Sequence, residues 1–220
     1  MEMELLNKRV ERLLNEVRTL AVERASDAEG IECALRARSL HDDSLSEWQP
    51  FVNGSEWGGE HRWWDFRFNV TAPEGYTGKQ LFLEITTGCE GAWDATNPQF
   101  LAYVDGKVRQ AIDTNHTTVL LGSDVKPGTV FSIYLKGYCQ TGAGNFARMR
   151  ARTIEVAENV MQLYYDVRVP LEAAELLPRE TRPRLLAFQA MSDALNQLDL
   201  RDPGSDEFYK SVDAAREYMK

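Results

Sequence analysis

The sequence has few of the residues that most often carry metal or covalent chemistry. Its 220 residues include three cysteines and three histidines. The cysteines form no Cys-x-x-Cys pair and the histidines no His-x-His pair, so neither a zinc knuckle nor a disulfide framework is supported. We therefore expect reduced thiols in a cytoplasmic protein, with no metal site in this sequence. The motifs of a P-loop and of a Gly-x-Ser-x-Gly nucleophile are missing as well.

Long apolar runs and an excess of positive charge are also missing. No stretch approaches the roughly 18 apolar residues of a membrane-spanning helix, and no basic and apolar leader typical of a secretion signal opens the sequence. The 25 Lys and Arg are outnumbered by 34 Asp and Glu, which gives a net charge of −9. Because a polyanion would be repelled, we expect neither nucleic acid nor a membrane as a partner.

Hydrophobic periodicity divides the chain into three parts, residues 1–46, 47–156 and 157–220. The first part contains an amphipathic helix whose apolar residues recur at alternating steps of four and three. They are Leu6, Val10, Leu13, Val17 and Leu20. This stripe either packs on the chain's own body or forms a short coiled-coil seam between subunits. A connecting segment follows it.

The middle part has the period of two that is typical of β-strands. In residues 63–70, Trp64, Phe66, Phe68 and Val70 fall on one face, and the other face receives Trp63, Asp65, Arg67 and Asn69. Similar short runs are separated by turn residues, and no helical pattern lies between them. The predicted fold class is therefore mainly β with α. It is an antiparallel β-sandwich of jelly-roll or galactose-binding-like type, flanked by the N-terminal helix and a C-terminal helical segment. We assign Trp48 and Trp64 to its core.

The last part predicts three helices. The first, near residues 156–177, contains Pro170, which either kinks it or splits it in two. The second begins after Thr181 and the third after Ser205, both residues that cap helix N-termini well. No Gly, Pro or polar tail closes the third helix before Lys220. We therefore expect the sequence to be part of a longer polypeptide.

One stretch resembles a known family. Residues 103–121 combine an Asp105-Gly106 hairpin, an Asp-x-Asn-His corner and a following strand. This combination resembles the N-terminal β-sandwich of glycoside hydrolase family 38 α-mannosidases. Residues 159–177 and 195–219 are similar to the helical linker that leads to the catalytic domain in that family. The resemblance covers roughly residues 57–220, and the N-terminal helix matches it only loosely.

The resemblance implies a parent enzyme that hydrolyses α-mannosides with retention of configuration, using zinc and an aspartate nucleophile. Such a site needs a His-x-His pair with further ligands, and two carboxyl groups about 5 to 5.5 Å apart. The matching positions lie outside the family's catalytic domain, so no catalytic residue and no cofactor are assigned here. We interpret His41, Asp42 and Asp43 as a solvated acidic loop. The implied partners are the parent's own catalytic domain, mannose-containing glycans and further copies of the parent in a homo-oligomer.

The corner at residues 113–116 is the main candidate site. Asp and Asn side chains can hydrogen-bond backbone two residues further on, and His116 can bridge to a neighbouring strand, so the corner has a structural interpretation. In the functional interpretation its polar groups meet a sugar hydroxyl or reach the catalytic pocket, beside an indole ring that covers a sugar face. The candidate carbohydrate-binding residues are Asp113, Asn115, His116, Trp57, Trp63 and Trp93.

Two functions of different class follow. The chain is either the non-catalytic N-terminal domain of an α-mannosidase, supporting the catalytic domain and its assembly, or a free-standing carbohydrate-binding module. A purely structural interaction protein, dimerising through the stripe between Leu6 and Leu20, is a third option.

Overall fold

A computed structural model describes residues 2–41, 43–76, 80–90, 98–140 and 147–220. Across these residues the chain forms antiparallel sheets arranged as a sandwich, together with four helices, as the predicted fold class requires. Contacts divide the chain into two compact units. One combines Met1–Glu23 with Val156–Lys220, and the other is Arg24–Glu155. The N-terminal helix is thus grouped with the C-terminal helices, whereas the sequence placed it in a segment of its own.

The strands of the described residues fall into three sheets. In chain order they are β1 (Val22–Asp27), β2 (Glu32–Arg36), β3 (Gln49–Pro50), β4 (Glu56–Trp57), β5 (Arg62–Thr71), β6 (Gln80–Thr86), β7 (Gln99–Val104), β8 (Lys107–Ile112), β9 (Thr118–Gly122), β10 (Val130–Cys139), β11 (Ala147–Arg148) and β12 (Arg150–Val156). The order β1-β12-β6-β9 forms a four-stranded sheet, and β3-β2-β5-β10-β7-β8 a six-stranded sheet. A small third sheet pairs β11 with β4. Strands β1 and β2 lie in residues 1–46, for which the sequence predicts a helix and a connecting segment but no strand.

Alternation along β5 determines which side chains enter the sandwich core. Phe66, Phe68 and Val70 are buried, while Arg67 and Asn69 between them are exposed. Trp64 is half-buried and packs against the core, as predicted. The remaining core residues come from both sheets, among them Leu81, Leu83, Ile85, Phe100, Ala102, Val119, Leu121, Ile133 and Leu135. Burying such side chains is the main stabilising contribution to a sandwich of this kind.

The predicted Asp-Gly hairpin joins β7 to β8. Asp105 has φ +50° and Gly106 has φ +73°, which are the two positive φ angles of a type I′ turn. The Asp105 carboxylate also accepts a hydrogen bond from the backbone N–H of Ser132 at 2.9 Å. The hairpin is therefore fixed both by its own backbone and by β10.

The helical unit contains α1 (Glu2–Leu20), α2 (Glu158–Glu175), α3 (Arg182–Leu195) and α4 (Asp206–Tyr218). Helix α1 contacts α2 and α3 through Val10, Leu14 and Val17, which are buried in one apolar cluster with residues of the other helices. The stripe therefore packs on the chain itself. Within the described residues, every helix is too short or too polar to cross a lipid bilayer.

The predicted helix boundaries agree closely with the structure. Helix α2 continues through Pro170, so the alternative in which this proline splits the helix is wrong. Thr181 is the N-cap residue of α3, although its hydroxyl donates to the carbonyl of Pro178 instead of accepting from the helix. The Ser205 hydroxyl accepts the N–H of Phe208 at 3.1 Å at the start of α4.

Replacing Gly106 with alanine should destabilise the hairpin. No heavy atom lies within 4 Å of the position that a Cβ would occupy, so the effect comes from the left-handed backbone alone. We expect a loss of about 1 kcal/mol in the free energy of unfolding, measured by chemical denaturation. Gly106→Asn is the matched control and should lose less, because asparagine tolerates this conformation. Equal stability of the alanine variant and the unsubstituted chain would contradict the turn geometry.

Candidate functional site

The candidate corner, residues 113–116, carries the chain from one sheet to the other. It follows β8, an edge strand of the six-stranded sheet, and leads into β9, an edge strand of the four-stranded sheet. The backbone N–H of Ile85 in β6 donates to the carbonyl of Thr117 at 2.7 Å. The side-chain amide of Gln110 in β8 donates to the carbonyl of Thr118 at 2.7 Å. The first bond fixes the end of the crossing to β6 within the four-stranded sheet, and the second joins the two sheets across the crossing.

The Asp113 carboxylate closes the corner on itself. Its Oδ1 accepts the backbone N–H of Asn115 at 2.7 Å and that of His116 at 2.7 Å. The His116 ring nitrogen Nδ1 lies 3.0 Å from the same oxygen and 3.2 Å from Oδ2. This is the bonding that the structural interpretation of the motif requires of the aspartate. The imidazole bonds to Asp113 within the corner, whereas the sequence predicts a bridge from His116 to a neighbouring strand.

These contacts change the acidity of Asp113. Partial burial favours the neutral acid, but the two backbone N–H groups and the His116 ring together outweigh it, so the pKa of Asp113 lies below its usual value. The carboxylate is therefore ionised at neutral pH, and its acceptor capacity is largely used by its own turn. It is poorly suited to act as a general acid or as a nucleophile.

The other corner residues divide between core and surface. Thr114 is buried, and its hydroxyl has no hydrogen-bond partner among the residues that the structure describes. Asn115 is exposed, and the His116 side chain is 74% exposed. The polar groups that a ligand could reach at this corner are thus the amide of Asn115 and the imidazole of His116.

The structure places the candidate tryptophans Trp57 and Trp63 in different environments. Trp57 is only 5% exposed and contacts Phe66 and Phe100 in the sandwich core, so its ring is not available to a ligand in this structure. Strand β4 is two residues long, and so short a run shows no alternation from which its burial could be read. Trp63 is half-buried, and its ring lies 4.5 Å from that of Tyr138, centroid to centroid. Trp93 lies outside the described residues.

Trp63 and the corner lie at the same end of the six-stranded sheet. Trp63 pairs with Tyr138, Tyr138 with Gln99, and Phe100 with Ile112, the residue before Asp113. Three inter-strand spacings of about 4.8 Å place the corner roughly 14 Å from Trp63. The two therefore line one end of a sheet without touching each other.

The same sheet carries a buried polar network that the sequence does not predict. Arg36 of β2 donates from Nε to Oδ1 of Asp65 at 2.9 Å and from Nη2 to Oδ2. The Tyr134 hydroxyl of β10 donates to the same carboxylate. Arg36 and Asp65 are 3% and 1% exposed. The three residues are far apart in sequence, so no local pattern could have revealed them.

The network is charged and internally neutralised. Bonding to Asp65 raises the pKa of the Arg36 guanidinium, and burial, followed by the bond to Asp65, raises the pKa of Tyr134. Asp43 approaches Arg36 at 3.5 Å from a nearly fully exposed position. Each of these groups has a partner, so the arrangement is typical of structural support for a sheet and not of a reactive site.

Trp48, predicted to lie in the core, is half-buried beside this network. The Arg67 guanidinium carbon lies 4.2 Å from the centre of its ring, and Tyr134 contacts it edge to face at 6.2 Å. A cation–π contact of this kind holds an indole at a sheet surface without burying it.

Possible metal ligands do not cluster within the described residues. In that part of the chain, no three His, Cys, Asp or Glu side chains come together as a possible metal site. His41 and Asp43 are both exposed, and Asp42 lies outside the described residues.

Comparison with known proteins gives distant structural likeness only. No family profile matches the sequence, and neither does any curated protein. Among solved structures, a Faecalibacterium prausnitzii β-glucuronidase is similar with a TM-score of 0.41 and 10% identity, over 61% of this chain and 32% of that enzyme. A Ruminococcus gnavus β-glucuronidase has a TM-score of 0.39 and 9% identity over 62% and 30%. A Kluyveromyces marxianus β-glucosidase has a TM-score of 0.38 and 9% identity over 66% and 18%.

The chain thus spans a third or less of these glycoside hydrolases. At such scores the likeness identifies neither a family nor an activity.

Asp113→Asn should weaken the corner in a pH-dependent way. The folded state lowers the pKa of Asp113, so its contribution to stability is present above the unfolded pKa of about 3.9 and is lost as the pH falls through the folded value. We expect a loss of about 1 kcal/mol at pH 7 that shrinks below about pH 4. Denaturant titrations over this pH range measure it.

Asn115→Ala is the control at the same corner, because Asn115 bonds to Asp113 through its backbone N–H. It should change the unfolding free energy by no more than about 0.5 kcal/mol. A constant difference between Asp113→Asn and the unsubstituted chain at every pH would rule out the charged turn.

Arg36→Met should be strongly destabilising, because it leaves the buried Asp65 carboxylate without its cation. We expect a loss of about 3 to 5 kcal/mol in chemical denaturation. Arg150→Met is the matched control, since Arg150 pairs with Asp27 at 3.0 Å where both side chains are about half exposed. It should cost no more than about 1 kcal/mol. Similar losses in both variants would contradict the assignment of Arg36 and Asp65 as a buried pair.

Proposed function

We propose that this chain is a non-catalytic β-sandwich domain with a helical linker, belonging to a glycoside hydrolase of the family 38 α-mannosidase type. The observation that carries the proposal is the hydrogen bonding of the Asp-x-Asn-His motif on which the resemblance rests. The Asp113 carboxylate is occupied by hydrogen bonds to Asn115 and His116 within its own turn. That bonding suits a motif that maintains the fold of an accessory domain.

The chain's part in such an enzyme is to support the catalytic domain and its assembly. Zinc, the aspartate nucleophile and the specificity for α-mannosides then belong to the catalytic domain. We further propose that the parent is a cytoplasmic homo-oligomer, and that mannose-containing glycans are its ligands. Asn115 and His116 are the corner residues exposed enough to meet a sugar hydroxyl.

A free-standing carbohydrate-binding module is the second candidate. It is favoured by the half-buried Trp63, whose ring lies against that of Tyr138 on the sheet surface. Aromatic rings with one open face commonly serve as contact surfaces for sugar C–H groups.

The two candidates are distinguished by the gene and by activity. If the reading frame continues beyond Lys220, we expect a His-x-His pattern in the following domain and zinc-dependent hydrolysis of an aryl α-mannoside by the full-length protein. The 220-residue chain alone should show no turnover. Zinc-dependent release of mannose by this chain alone would contradict the proposal. A reading frame with no zinc-ligand pattern would remove the mannosidase assignment and favour the binding module.

A further inference from the structure

We propose that Trp63, Tyr138 and Gln99 form a binding row for a neutral sugar residue, with the two aromatic rings as its contact surface. The inference takes only its class of ligand from the proposed function. It concerns this chain by itself, and it stands whether the parent enzyme is a mannosidase or another glycosidase.

The strand register brings the three side chains together. Tyr138 of β10 pairs with Trp63 of β5 on one side and with Gln99 of β7 on the other. Directly paired residues of adjacent strands project to the same face, about 5 Å apart. The residue after each of the three points to the other face of the sheet. Two of these following residues, Cys139 after Tyr138 and Phe100 after Gln99, are buried. The row therefore lies on the outer face of the six-stranded sheet.

The two rings stack on each other at a tilt, so the aromatic carbon that they offer a ligand is the face that each turns away from the other. Their centroids are 4.5 Å apart and their planes meet at 37°, and both residues are half-buried. Gln99 is exposed and offers an amide with both a donor and an acceptor. A sugar ring needs this combination, since its C–H face packs on aromatic carbon while its hydroxyls seek polar partners.

The Tyr138 ring is held in place by His61. The His61 Nδ1 atom lies 2.8 Å from the Tyr138 hydroxyl oxygen, and His61 has the left-handed φ of +51°. The turn that carries it includes Gly58 and Gly59, with φ of +112° and +116°. Non-glycine residues in this region cost free energy, and they often occur where geometry matters for function. A ring already fixed before binding loses less entropy when a ligand arrives.

The charges beside the row favour a neutral ligand. Arg36 pairs with Asp65, and Arg67 pairs with Glu32 at 2.7 Å. Arg36 and Glu32 lie on β2, where Arg36 is the direct pairing partner of Trp63, and Asp65 and Arg67 lie on β5 itself. Because these two cations are already matched by carboxylates and the Lys136 ammonium lies over the Tyr103 ring, an anionic sugar gains little from them, and a neutral pyranose is the better fit.

The test is a binding titration of the 220-residue chain with methyl α-mannopyranoside, methyl α-glucopyranoside and glucuronate. Calorimetry and indole fluorescence give the dissociation constants. We expect millimolar binding of at least one neutral glycoside and a loss of about tenfold in Trp63→Ala. Trp48→Ala is the matched control, because Trp48 is a half-buried indole held by Arg67 and Tyr134 away from the row. It should bind as the unsubstituted chain does.

Tyr138→Phe should also weaken binding, since it removes the bond to His61 but keeps the ring. If Trp63→Ala fails to fold, the indole N–H resonances of the unsubstituted chain provide the result. The Trp63 resonance must then shift with added glycoside more than that of the buried Trp57. No binding of any neutral glycoside, equal binding by Trp63→Ala, or binding of glucuronate alone would overturn the inference. Each of these outcomes is independent of whether the full-length protein hydrolyses mannosides.

Discussion

The hydrogen bonds of the Asp113 carboxylate fix the point where the chain leaves one sheet and enters the other. Strand β8 ends the six-stranded sheet, and β9 pairs with β6 in the four-stranded sheet. The two N–H groups that Asp113 accepts belong to residues of the crossing itself. Since a one-residue slip would reverse the buried and exposed faces of β9, a closed corner also protects the register of the core. A residue with this structural role has little capacity left for catalysis.

The outer face of the six-stranded sheet carries two different sets of side chains. Around Arg36 and Asp65, charges are buried and matched, which is an arrangement that supports the sheet from its surface. At one end of the same face, Trp63 and Tyr138 place aromatic carbon at the surface, with a hydroxyl bonded to His61. The first set stabilises this face of the sheet, and the second is the part of the face that we propose binds a sugar.

Local features of the sequence predicted most of the fold, and distant ones explain what was missed. The alternation in β5, the turn at Asp105 and the cap at Ser205 each depend on residues close in sequence, and the structure has all three. The Asp113 turn is likewise local. The pairing of Arg36 with Asp65, however, depends on which strands become neighbours. The partial exposure of Trp48 depends on Arg67, which is also distant in sequence. The burial of Trp57 could not be predicted, because its strand is too short to show an alternation of buried and exposed residues.

The acidity of Asp113 in the folded chain tests the central claim most directly. Carboxyl ¹³C resonances followed through an acid titration give the pKa of this side chain, and the amide resonances of Asn115 and His116 report the same event. A carboxylate held by both N–H groups should titrate below the ordinary value of about 3.9 and should move both amide signals as it does. Titration at or above that value, with the two amides unaffected, would show that the corner is not closed by Asp113.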